Sequence, residues 1–177
     1  MKSKVIALSA ISAGLTVIAL LVGAYLEIAE LFALVVSSVF VILPLYLNSY
    51  KGSVLSYLAG GVIAFLCSGF NIMSLVFPTY FAFFGLYPIV KCKMVEKSFN
   101  KYAGYILGIV WFLLVSFGAY FYYTLIMQGV FEGLPEWILG YIVYIVGAVA
   151  IIFFIIYDRF VVVCKMLCDR YLGRFIK

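Results

Sequence analysis

Hydroxyl, phenol and amide groups recur inside stretches that are otherwise apolar, and they are the groups in this chain that could recognise a ligand. In chain order they are Ser37 and Ser38, then Ser68 and Asn71, then Ser74, Thr79 and Tyr80. A later series holds Tyr120, Tyr122, Tyr123, Thr124 and Gln128, followed by Trp137, Tyr141 and Tyr144. Aromatic faces stack on planar rings and hydroxyls orient them, and ligand sites join an apolar wall to a few placed polar groups. Tyr141 and Tyr144 are spaced for one helix face. Asn71, Ser74, Thr79, Tyr80, Tyr120, Tyr123, Thr124, Tyr141 and Tyr144 therefore predict an outward-facing pocket for a small, partly aromatic molecule. The same tyrosines could instead form an interfacial belt facing lipid.

Covalent and redox chemistry find less support. The chain has no histidine and four cysteines, Cys67, Cys92, Cys164 and Cys168. Cys164 and Cys168 are four apart, and with Cys92 they could share a metal. A mixed Cys/His site is impossible, and small apolar packing explains the thiols more simply. The sequence holds no P-loop, no GxSxG elbow and no HExxH. These readings predict a protein that is not an enzyme and carries no cofactor and no metal.

The elements that must position these groups follow from composition. Of 177 residues, 68% are apolar and 11% charged, and the mean hydropathy is +1.25. About a quarter of a soluble domain is charged, so hydrocarbon must solvate most of this exterior. A spanning helix needs about 20 apolar residues. Charge-free runs cover Val5–Leu26, Leu31–Tyr50, Gly52–Val90, Tyr102–Phe131 and Trp137–Tyr157. Gly52–Val90 suits two crossings joined by a turn at Ser68-Gly69-Phe70-Asn71. The predicted fold is all-α: one transmembrane domain over residues 1–177, with spans 5–25, 31–47, 54–68, 72–90, 103–127 and 138–157. Residues 158–177 form an amphipathic tail that lies on the inner leaflet or prolongs the sixth span.

Six crossings place all 12 Lys and Arg residues on one side, and Glu27, Glu30, Glu132 and Glu136 on the other. Positive residues near span ends stay in the cytosol, which predicts both termini inside and the chain in the cell membrane. A cleaved signal peptide is the rival at the N-terminus, but the apolar run exceeds the usual h-region of roughly 7–15 residues. The net charge of +5 suits an anionic leaflet and calls for no nucleic acid. The acidic outer loops would favour a cationic or neutral ligand.

Small residues predict where helices touch. Gly52, Ser56, Gly60, Ala64 and Ser68 recur every fourth residue, and Gly104 and Gly108 repeat the spacing in the fifth span. The first span holds Ala7, Ser9, Ala10, Ala13 and Gly14, either for packing within the bundle or for docking another membrane subunit. Pro44 and Pro78 should kink the second and fourth spans, and Ser74 and Thr79 could satisfy the carbonyls freed near Pro78.

Six short spans, a compact size, the small-residue patch Ala7-Leu8-Ser9-Ala10-Ile11-Ser12-Ala13-Gly14 and the Gly-rich third span resemble the S components of energy-coupling factor (ECF) transporters. That resemblance implies a substrate-capture subunit for a small solute such as a vitamin. Its partners would be a transmembrane coupling subunit, docked at Ser9/Ala13 and Ala10/Gly14, and two ATPase subunits. The chain is also similar in size and span count to MreD-like subunits of cell-shape complexes, which implies a scaffold. A third reading is a lipid-binding membrane protein.

Overall fold

The computed structural model describes residues 2–71, 74–97, 100–126 and 136–175. These are helical, with no strand among them. Helix α1 spans Lys2–Tyr25, α2 Glu30–Ile42, α3 Tyr50–Cys67, α4 Val76–Thr79, α5 Tyr87–Glu96, α6 Lys101–Ile126 and α7 Glu136–Phe175. Among the described residues, five stretches are long and apolar enough to cross a membrane: Ser3–Tyr25, Glu30–Leu47, Tyr50–Cys67, Tyr102–Tyr122 and Tyr141–Arg170.

The first three helices meet through small and hydroxylated residues. Helices α1 and α3 run parallel. Ser56 Oγ donates to the Ser9 carbonyl at 2.8 Å, and a Cβ on Gly60 would lie 2.9 Å from Thr16 Cγ2. Ser56 and Ala64 are buried. Helix α2 runs back along α1, with Ser12 Oγ donating to the Phe40 carbonyl at 2.6 Å. Ser37 and Ser38 turn their hydroxyls onto the carbonyls of Leu34 and Val35, which satisfies them without water. At Pro44 the helix tightens into a 3₁₀ turn over Leu43–Leu47, and left-handed Asn48 (φ 52°) closes it. The Ser49 hydroxyl then caps α3 by accepting from Gly52 N at 3.1 Å.

The predicted fourth span, 72–90, is not one continuous helix. After the turn through Gly69 (φ +70°) and Phe70 (φ 57°), the chain forms α4, a π turn over Tyr80–Phe84 and then α5. Pro78 has no amide hydrogen for the helix ladder, and the next turn widens, with Gly85 N bonding the Tyr80 carbonyl at 2.9 Å. Helix α3 repairs the break from outside. Tyr57 OH donates to the Phe81 carbonyl at 3.0 Å, and Tyr80 OH returns to the Tyr57 carbonyl at 3.2 Å.

This broken segment is the most deeply buried part of the molecule. Tyr80 and Phe83 are 0% exposed, and Val76, Phe77, Phe84 and Tyr87 are buried with them. Phe83 stacks on Tyr87 at 4.8 Å and meets Phe112 of α6 at 4.8 Å. Phe84 meets Tyr157 of α7 at 5.3 Å. Helices α6 and α7 run antiparallel, with Phe154 filling the space beside Gly108 and Phe112 stacked on Phe153 at 5.6 Å.

Helix α7 continues without interruption for 40 residues, about 60 Å of rise against a hydrocarbon core of about 30 Å. Of the two predicted courses for the tail, the described part prolongs the last span.

Gly85 is tightly packed: a Cβ there would fall 2.2 Å from the Tyr57 ring, whereas Gly118 has open space. Gly85→Ala is expected to cost about 1–3 kcal/mol and Gly118→Ala almost nothing, as measured by thermal unfolding in detergent.

Candidate functional site

Beyond the π turn, Pro88 occupies the first turn of α5, where its missing amide costs nothing, and helix geometry resumes. Tyr87 and Lys91 are then four apart and share a face. Both meet Asp158 of α7. Lys91 Nζ lies 2.5 Å from Asp158 Oδ1, and Tyr87 OH donates to the same oxygen. The ammonium also stands 6.0 Å from the centre of the Tyr105 ring of α6, a cation–π distance. Asp158 is 4% exposed and the Lys91 side chain 15%. A lone charge in such a place costs several kcal/mol. The pair together with the phenol offsets part of that cost and ties α5, α6 and α7 at one level.

Next to this junction is a cavity of about 1130 Å³ between α5, α6 and α7. Lys91 and Asp158 form its inner end. Arg159, Val162 and Met166, on successive turns of α7, make one wall, and Tyr105 faces them from α6. Gly104 borders it too.

The cavity belongs to the basic end of the bundle. Lys4 and Lys51 occupy the first turns of the parallel helices α1 and α3, and Lys91, Lys93 and Lys97 lie along and just after α5. Lys165 of α7 reaches Glu96 at 3.4 Å, so α5 ends beside the cationic part of α7.

The pocket residues read from sequence take scattered positions. Tyr80 is in the core against Tyr57, at 5.5 Å between rings. Ser74 is buried, its Oγ accepting from Val76 N at 3.4 Å. Thr79 bonds the carbonyls of Leu75 and Val76, Thr124 those of Tyr120 and Phe121, and Asn71 N reaches Ser68 Oγ. Tyr120 is half-buried, while Tyr141 and Tyr144 are 62% and 76% exposed. Tyr80 points inward and the α7 tyrosines outward, so these side chains do not line one cavity. The side chains of Tyr123 and Trp137, and the whole of Gln128, lie outside what the structure describes.

The patch on α1 divides in two. Ser9 is buried against α3, and the Ala13 carbonyl approaches Gly60. Ala7, Ala10 and Gly14 are exposed, and a Cβ on Gly14 would meet nothing within 4 Å. Half the patch packs the bundle and half presents a smooth outer stripe.

The four cysteines are free thiols, and no cluster of three metal-ligating side chains occurs among the described residues.

Sequence reading missed the junction because it counted Lys91 as a topology charge and Asp158 as the start of a tail. The available signal was Tyr87-x3-Lys91 on one helical face, together with an acid closing a 20-residue apolar run. Comparison with family models, curated proteins and solved structures finds no significant match.

Asp158→Ala strands the Lys91 ammonium and should cost about 3–5 kcal/mol. Lys91→Met combined with Asp158→Ala should recover most of that loss, as read by unfolding in detergent. Buried Cys92 should be alkylated more slowly than exposed Cys67.

Proposed function

We propose that this chain is a membrane-embedded binding subunit that crosses the bilayer six times, both termini cytosolic, and depends on partner subunits for energy. The observation that carries this reading is the outward stripe of Ala7, Ala10 and Gly14 on α1. Small residues let another helix backbone approach closely, and in lipid close contact is what holds helices together. The stripe occupies the place where the resemblance to ECF S components implies the coupling subunit. In this reading the chain captures a small solute such as a vitamin, and two ATPase subunits drive its uptake. The broken fourth segment adds support, since discontinuous helices frame substrate sites in transporters.

The assignment of sides rests on the basic end of the bundle. Lysine and arginine are retained in the cytosol, so the acidic end faces out and the broken fourth segment counts as a crossing. Its length, Val76–Glu96, suffices, at about 1.5 Å per residue, for about 30 Å.

A scaffold subunit is the second reading. The observation in its favour is the aromatic filling around Phe83, which occupies the space between α4–α5, α6 and α7.

Affinity purification from native membranes separates the two. Solute capture expects an ATPase pair and a coupling subunit in the eluate, and a small molecule detectable by mass spectrometry. Gly14→Trp should abolish that co-purification while the melting temperature of the isolated chain stays unchanged. Recovery of cell-envelope enzymes without ATPases would favour the scaffold and overturn the transport reading.

A further inference from the structure

We propose that the cavity between α5, α6 and α7 holds an anionic phospholipid, its phosphate beside Arg159 and its upper acyl chain along Val162 and Met166. The inference rests on the sidedness proposed above and not on whether the chain transports a solute. Three observations carry it. The first is position: the cavity is at the basic end, where the prolonged α7 leaves the span, the level of lipid headgroups for a helix of this length. The second is charge. Lys91 is matched by Asp158 at 2.5 Å, which leaves Arg159 as the uncompensated charge among these lining residues. Arg159 is exposed, and its planar guanidinium suits a phosphate bidentately. The third is the wall. Val162, Val163 and Met166 follow Arg159 on one face of α7, and Met94 and Val95 face them from α5. A free anion would leave this apolar surface against water, whereas a phospholipid covers it and presents its phosphate to the arginine. Basic pockets between helices on the cytosolic side of membrane proteins take anionic headgroups on the same grounds.

The test uses the full chain purified in mild detergent and titrated with phosphatidylglycerol, phosphatidylcholine or inorganic phosphate. Bound lipid is read by native mass spectrometry, and melting temperature in parallel. One phosphatidylglycerol per chain should be retained in preference to phosphatidylcholine. Arg159→Gln should weaken that retention about fivefold. Val163→Trp, which keeps the charge and fills the cavity, should weaken it too. Lys51→Gln, an exposed charge at the same end but away from the cavity, should not. Equal losses from Arg159→Gln and Lys51→Gln would mean diffuse surface attraction and overturn the proposal. Stabilisation by inorganic phosphate equal to that by phosphatidylglycerol would overturn it as well, because the apolar wall would then contribute nothing.

Discussion

Hydrocarbon offers no hydrogen bonds, so every polar group that this chain takes into the bilayer must find its partner within the protein. Most serines and threonines of α1, α2 and α3 meet the demand by bonding backbone carbonyls, on their own helix or the next, while the buried Ser9 hydroxyl is left without a partner. The severest case is the fourth segment. Pro78 and the π turn after it break the regular ladder, and a broken helix cannot face lipid. It must be covered, and the fold covers most of it: within Val76–Val90 only Pro78 and Ala82 are exposed. Tyr57 supplies the missing bond from α3, and α6 and α7 close over the rest with aromatic rings.

That enclosure explains the buried ion pair. Once Tyr87 and Lys91 are drawn inward at the start of α5, the ammonium needs an anion and the phenol an acceptor. Asp158 serves both. The arrangement is cheap to keep and costly to break, since removing one member strands another. It also fixes α7 against the fourth segment at one register, from which α7 extends beyond the bundle. The cavity opens beside this junction, lined by α5, α6 and α7.

The long helices were legible in the sequence because apolar runs bounded by charges need only length to be recognised. Helices α1 and α6 overlap two of the charge-free runs, α3 takes the first part of Gly52–Val90, and the turn after Cys67 falls in the Ser68–Asn71 cluster. Pro78 signalled a kink, but not that the aromatic run Tyr80–Phe84 would widen into a π turn and divide the segment. Candidate site residues were legible as types and not as places. In lipid both the interior and the exterior of a bundle are apolar, so hydropathy does not distinguish inward Tyr80 from outward Tyr141 and Tyr144. Periodicity did contain the division of the α1 patch, because Ser9 and Ala13 share one face and Ala7, Ala10 and Gly14 another. It did not say which face α3 would take. Lys91 and Asp158 are distant in sequence, and local spacing does not reveal such a pair.

The enclosed fourth segment is the centre of this account, and backbone hydrogen exchange in lipid nanodiscs tests it most directly. Amides of Val76–Val90, Pro78 and Pro88 aside, should exchange as slowly as those in the middle of α3. Exchange on the timescale of an exposed loop would show that α3, α6 and α7 do not close over the break.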